Sequence, residues 1–515
     1  MSEAPAALPD RRPYHWPLVG AIAAIVFVTH IVVNAVTPYG VHRDEFLYMA
    51  MGTHLRLFAM DFPPFIALVS QVERALFGDS LISIRLVPAL AGAMLVLLAA
   101  AIARELGGGR FAQSLAALTV ATHPLFLRPG NLFQPVVFDQ LWWSAALFAF
   151  ARLQRTRDPR WWIGIGIAGG VGLLTKFSIL ILGFAMLAAL IIDERAALRT
   201  RGPWLALGIA IVLGSPSVIG QILLGFPLIG QMRELQRSQL AYVPYTFFLS
   251  WQLLLGPSFL IALAGLVALL RRPALRPFRT LGITCLAAFA VIFLLKGKPY
   301  YVGPVYPTLF AAGGVWLEGL GAARGARLLR TSAVAVIILY AAFIFPVGLP
   351  ILPPEQMSRY GAASGLTVAQ RTNQGHHLRL PQDFADMLGW EERVAAVKHV
   401  FDSLPPEKRA AAVLAGENYG EAGALDFYGP RLGLPRVVSA HGSYWFFGPG
   451  EKPGTVLITL GVSREDLLRF YGTVTPGAHL TNEWTVEEEQ DLTVYICERP
   501  KTTLQALWPQ LAGRN

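Results

Sequence analysis

The chain has 515 residues, 54% of them hydrophobic and only 15% charged, with a mean hydropathy of +0.48. A soluble globular domain carries about 25% charged residues, so this balance points away from a wholly soluble protein and towards a membrane. The formal net charge is +10, but the arginines sit in short turns between apolar runs. No basic block interleaves with aromatics, which argues against nucleic acid as a partner.

Residues 1–15 read as a cytoplasmic tail carrying Arg11 and Arg12. The apolar run 16–36 is too long for a signal-peptide core and reads as an uncleaved first span. Further apolar runs cover 80–103, 112–127, 134–151, 161–175, 177–192, 204–222, 246–270, 279–295, 301–319 and 330–349. They predict a polytopic α-helical membrane domain over residues 16–350 with about eleven transmembrane helices. Several runs fall short of the ~20 residues a straight span needs, and 161–192 also reads as a broken or hairpin pair.

Every second turn is arginine-rich: Arg104 and Arg110; Arg152, Arg155, Arg157 and Arg160; Arg195, Arg199 and Arg201; Arg271, Arg272, Arg276 and Arg279; Arg324, Arg327 and Arg330. The short turns between them are sparse, with Arg128, Lys176 and the pair Lys296 and Lys298. The positive-inside rule then places the N-terminus in the cytoplasm, and an odd number of spans places the C-terminal chain outside it.

Two segments do not fit a pattern of short turns. Residues 223–245 form one long external loop, and residues 37–79 form the first, which contains His42-Arg43-Asp44-Glu45-Phe46-Leu47-Tyr48 and Asp61-Phe62-Pro63-Pro64. Residues 44–58 alternate as an amphipathic helix whose Phe46, Met49, Leu57 and Phe58 suit a bilayer interface. Asp44 and Glu45 at its start either cap it, favoured by the helix dipole, or do chemistry at the external face. Asp61 before two prolines is a turn starter or a third acidic site group.

Asp139 opens a long apolar span, where a carboxylate is costly unless it caps the helix or faces water, a partner or a ligand. Separated carboxylates on one face suit general-base work or cation binding. Lys176 lies in a short external turn, and Lys296, Lys298, Tyr300, Tyr301 and Tyr306 cluster between two spans. Lysines there can bind phosphate as point charges, as can Arg128, while tyrosines also form ordinary interfacial belts.

Beyond Leu352 the composition becomes that of a soluble domain, with Pro353 and Pro354 at the boundary and a partly irregular linker over 355–380. Residues 351–515 mix expected strands at 411–415, 436–440, 454–460 and 492–497 with expected helices at 384–402 and 463–471, an α/β or α+β domain. Cys285 falls in a span and Cys497 in this domain, so no disulfide is expected. The His376-His377 pair has no clear companion ligands, and Gly107-Gly108-Gly109 has no Walker lysine.

In order and spacing, Asp44-Glu45, Asp61-Phe62-Pro63-Pro64, Asp139, Gly172-Leu173-Leu174-Thr175-Lys176-Phe177 and the stretch 298–307 resemble the GT-C superfamily of membrane glycosyltransferases. The likeness covers most of residues 15–350. It is strongest to the bacterial family 39 type, related to protein O-mannosyltransferases and the lipid A aminoarabinose transferase. The run Glu417-Asn418-Tyr419-Gly420-Glu421-Ala422-Gly423 is similar to uncharacterised members and implies no activity.

The resemblance implies an inverting enzyme of the bacterial inner membrane. It would move a hexose or pentose from a polyprenyl-phosphate donor to a lipid, glycan or protein acceptor at the extracytoplasmic face. It implies Asp44 as base with Glu45 beside it and Asp139 as the second acidic residue. Asp61, Arg128, Lys176, Lys298 and Tyr301 would then bind substrate. Some relatives bind a divalent metal, for which no ligand set is legible here. The competing readings are a transporter or flippase for a lipid-linked sugar and a non-catalytic scaffold. The first predicts inverted repeats and mid-membrane polar residues, neither of which is evident.

Overall fold

A segment that crosses a bilayer must satisfy its own backbone hydrogen bonds, and a helix does so within one segment. In the computed structural model every apolar run is helical. The structure describes residues 12–240, 244–366, 370–372 and 376–512, so Arg11 and the tail before it lie outside the described residues. The chain divides into two compact units. One comprises Met1–Val36, Ile82–Ile219 and Ser238–Ile351, and the other Thr37–Leu81, Gly220–Arg237 and Leu352–Asn515.

Among the described residues five helices are long and apolar enough to cross a membrane: Trp16–Val36, Leu86–Glu105, Gly202–Leu223, Pro273–Leu294 and Arg324–Gly348. A sixth arises if Tyr245–Leu255 and Pro257–Arg271, bent by 101° to each other, form one span. The expected count of about eleven is therefore not confirmed. The reason lies in breaks that the apolar runs conceal. Run 112–127 divides into Arg110–Thr122 and Pro124–Gly130 where Pro124 cannot continue the ladder. Run 246–270 turns at Gly256, whose φ of 54° favours glycine, before Pro257. Run 301–319 begins as a 3-10 turn, Pro299–Val305, and becomes α-helical only over Tyr306–Glu318.

Small residues pack these helices backbone to backbone. A Cβ on Gly265 would lie 2.0 Å from the Leu309 carbonyl oxygen, and one on Gly313 would lie 2.2 Å from that of Ile261. Helices Pro257–Arg271 and Tyr306–Glu318 thus touch where a larger residue could not fit. Some of the arginines do structural work. Glu105, buried, accepts from Arg152 at 2.7 Å, and Arg155 donates to the Glu105 carbonyl at 2.6 Å. A buried carboxylate is tolerable only when paired in this way.

The second unit carries a five-stranded sheet in the order β2-β1-β3-β5-β4, where β1 is Ala412–Gly416, β2 Val437–Val438, β3 Val456–Leu460, β4 Tyr471–Thr481 and β5 Asp491–Pro500. Strand β1 pairs in parallel with β2 and β3, while β5 runs antiparallel to β3 and β4. Val413, Leu457, Val474, Cys497 and Trp508 form a core on one side of the sheet. Cys285 and Cys497 are buried free thiols. The expected strands and helices are all present, with a break at Gly389 (φ 80°) ahead of the Trp390–Ser403 helix.

The long loops prove to be structured. Residues 37–79 contain the helices Arg43–Thr53 and Phe65–Phe77, and residues 223–245 contain Pro227–Ser238. Helix Arg43–Thr53 ends earlier than the expected 44–58, and Phe46 and Met49 are 1% and 2% exposed inside the unit rather than placed for a bilayer interface.

Candidate active site

The helix-start residues of the first unit bring several chemistry-bearing groups together. Pro135 opens helix Pro135–Thr156, a position where its missing N–H costs nothing, and Asp139 follows in the first turns. Asp139 is 5% exposed, and the Ser178 hydroxyl donates to it at 2.7 Å. Lys176 ends helix Trp161–Thr175 in an extended conformation. Its ammonium lies 4.1 Å from the Tyr301 ring centroid and 5.9 Å from that of Tyr300. Lys298 precedes the 3-10 turn, and its carbonyl accepts the Tyr301 N–H at 2.9 Å. Tyr301 interacts electrostatically with Lys176, Lys298 and Asp139.

The first unit therefore gathers Asp139, Lys176, Lys298 and Tyr301, and adds Ser178 and Tyr300. The aromatic faces hold Lys176 by cation–π attraction, and among the described residues no carboxylate comes within ion-pair distance of it. Gln252 holds the turn from behind, donating to the Pro299 carbonyl at 3.1 Å and accepting from the Tyr306 hydroxyl at 2.7 Å. The Arg128 guanidinium donates to the Val347 carbonyl, which ties it to the end of helix Arg324–Gly348.

The second unit holds Asp44, Glu45 and Asp61, which have distinct surroundings. Glu45 is fully buried, and its carboxylate accepts the His42 N–H at 2.7 Å while the His42 ring accepts the Asp44 N–H at 3.0 Å. This reciprocal cap gives Glu45 the capping role that the sequence left open. Asp44 is half-buried and accepts the Tyr419 hydroxyl at 2.8 Å. Asp61 is 2% exposed and accepts from Ser443 at 2.7 Å, and its carbonyl accepts from Gln221 at 2.6 Å. Burial pushes the Asp61 carboxyl up to about 6, against the pull of Ser443 and of the Asp61 and Phe62 backbone. Burial likewise raises Asp386 to about 7, with His42 and Arg43 opposing.

Sequence reading placed Tyr300 in the lysine–tyrosine cluster without a role of its own, and missed Ser178, Gln252, Tyr419 and Ser443. Ser178 lies two residues from Lys176, so proximity was a usable signal. Tyr419 belongs to a run whose Asn-x-x-Glu spacing is itself a capping signature. Among the described residues no group of three or more His, Cys, Asp or Glu is placed to hold a metal ion. The chemistry available is thus a half-buried carboxylate that accepts the Tyr419 hydroxyl, and a lysine–tyrosine cluster suited to an anionic oxygen.

The sequence model of the family described as dolichyl-phosphate-mannose-protein mannosyltransferase matches residues 61–219, the stretch that holds Asp61, Arg128, Asp139 and Lys176. No protein with a curated description matches the chain significantly in sequence. Among solved structures, ArnT from Cupriavidus metallidurans bound to undecaprenyl phosphate is similar in fold, with a TM-score of 0.59 and 17% identity. That match covers 93% of this chain and 97% of ArnT. The apo form of the Archaeoglobus fulgidus oligosaccharyltransferase gives a TM-score of 0.51 and 11% identity over 86% of this chain and 69% of that one. The chain therefore shares the fold of ArnT, and over residues 61–219 its sequence is similar to the dolichyl-phosphate-mannose-protein mannosyltransferase family.

Proposed function

We propose that the chain is an inverting glycosyltransferase that moves a sugar from a polyprenyl-phosphate donor to a lipid, glycan or protein acceptor at the extracytoplasmic face of a bacterial plasma membrane. The observation that carries this reading is the cluster around Lys176, a lysine cradled by Tyr300 and Tyr301 beside Asp139 and Lys298. The undecaprenyl phosphate bound to ArnT supports a lipid-linked donor. The N-terminus is cytoplasmic in this reading and the C-terminal domain extracytoplasmic.

The residues divide the reaction between them. Asp44 takes the proton from the acceptor hydroxyl as its oxygen attacks the anomeric carbon. The bond from that carbon to the phosphate oxygen breaks, and the lipid phosphate leaves with the electron pair. Lys176 and Lys298, supported by Arg128 and Tyr301, stabilise the charge that develops there, an effect that grows in a site with little water. Asp139, held by Ser178, supplies the acidic group beside the lysines. Glu45 and Asp61 shape the loop that presents Asp44.

The test is sugar transfer by purified protein from a panel of polyprenyl-phosphate sugars, with membrane extract as acceptor and Asp44→Asn alongside wild type. Transfer that collapses in a folded Asp44→Asn protein is the expected result. Equal transfer by both proteins removes Asp44 as the base, and no transfer from any donor, in extract that holds competent acceptors, overturns the enzyme reading.

A further inference from the structure

The run from Glu417 to Gly423 carries no role in the reaction as derived so far, yet most of its residues have a structural task. Asn418 caps helix Tyr419–Tyr428, accepting the Gly420 and Glu421 N–H groups at 2.8 and 3.1 Å. Glu421 reaches back to the Glu417 N–H at 2.7 Å and completes the capping box. Gly420 and Gly423, three residues apart, lie on one face of this helix. A Cβ on Gly420 would lie 2.5 Å from Arg43 Cγ, and one on Gly423 would lie 2.4 Å from Phe46 Cβ. The two glycines therefore let the helix press against helix Arg43–Thr53, where Trp390, Phe427 and Tyr428 enclose the Phe46 ring.

The same approach brings the Tyr419 hydroxyl to Asp44 Oδ1 at 2.8 Å. The Arg43 guanidinium lies 5.1 Å from the Tyr419 ring centroid and pairs with Glu488 at 2.7 Å, so the ring is held from its face as well. Burial and the Asp44 carboxylate both raise the Tyr419 hydroxyl well above its ordinary value, which leaves it protonated and able to donate.

We infer that Tyr419 is a positioning residue for Asp44, so that the C-terminal domain orients the carboxylate that receives the acceptor proton. An aspartate has two side-chain torsions to fix, and a tethered oxygen presents its partner in one direction. This rests on the glycosyltransferase reading above.

Tyr419→Phe removes one hydroxyl and keeps the ring. Loss of a hydrogen bond to a charged group corresponds to a fall in kcat of about 10- to 100-fold. The donor KM is expected to stay within about twofold, because Tyr419 acts on the base and not on the phosphate. In an Asp44→Asn background the same substitution is expected to add no further loss. Hydrogen exchange provides an arm that is independent of turnover, and the amides of residues 43–47 are expected to exchange faster in Tyr419→Phe.

Full activity in Tyr419→Phe, or a loss that multiplies with that of Asp44→Asn, overturns the inference and leaves the glycosyltransferase reading intact. Unchanged exchange at residues 43–47 overturns it as well. If wild type transfers no sugar, the proposed function falls, and with it the catalytic sense of this positioning.

Discussion

Replacing Gly423 by alanine adds one methyl group where helix Tyr419–Tyr428 meets helix Arg43–Thr53. The new Cβ would lie 2.4 Å from Phe46 Cβ, 3.2 Å from its carbonyl carbon and 3.4 Å from its Cα. These atoms belong to or adjoin the backbone, so no rotamer change relieves the overlap, and the helices must separate by about 1 Å to restore ordinary contact. Overpacking of this kind costs about 1–3 kcal/mol. Alanine returns up to about 1 kcal/mol through its better helix propensity. The net effect is a destabilisation of about 1–2 kcal/mol, equivalent to about 2–8 °C in the midpoint of a unit of this size. Thermal unfolding of detergent-solubilised protein measures it, with Gly230→Ala as the control because nothing lies within 4 Å of a Cβ there. A Gly423→Ala midpoint equal to or above that of the control would refute the reasoning.

Three further substitutions separate structural from chemical roles. Glu45→Gln loses the charge in the bond to the His42 N–H and should cost about 1–3 kcal/mol of stability while transfer per folded molecule survives. Collapse of transfer at unchanged stability would make Glu45 the base. Ser178→Ala deprives Asp139 of the Ser178 hydroxyl and should cost about 1–3 kcal/mol while raising the donor KM, so an unchanged midpoint and KM would count against the cluster. The pH dependence of unfolding follows from Asp61 and Asp386, whose folded carboxyls lie near 6 and 7 against an unfolded value of 3.8. Between those values the native state holds protons that the unfolded chain releases. Their contribution is therefore complete below 3.8 and is lost as pH rises through 6 and 7. The midpoint should fall between about pH 4 and pH 7, and less steeply in Asp61→Asn. An identical slope in wild type and variant would contradict the burial of Asp61.

The helical character of the membrane unit was legible because an apolar run has few alternatives. Its interruptions were not, since His123 and Gly256 look like ordinary residues of a span until the proline after each removes a backbone donor. Strand β4 escaped because Gly472, Pro476 and Gly477 dilute the alternation, and the structure accommodates them through a register shift between Pro476 and Ala478. The amphipathic reading of residues 44–58 misled, because the helix stops at Thr53, Phe46 packs against Trp390 and Phe427, and Leu57 and Phe58 lie exposed beyond its end. Adjacent Asp44 and Glu45 are chemically alike in sequence, and the local bond of Glu45 to the His42 N–H and the tertiary bond of Asp44 to Tyr419 tell them apart. That last contact spans 375 residues and has no local signature.

The same separation has a consequence for biogenesis. At a synthesis rate of about 5–20 residues per second, Asp44 precedes Tyr419 by about 20–75 s. Throughout that interval Phe46 and Met49 have no permanent cover, since Trp390, Phe427 and Tyr428 are still to be made. Maturation of the nascent loop is thus a late, long-range closure step. A nonsense codon beyond the final membrane helix would consequently leave an unfinished loop near the N-terminus as well as a missing tail.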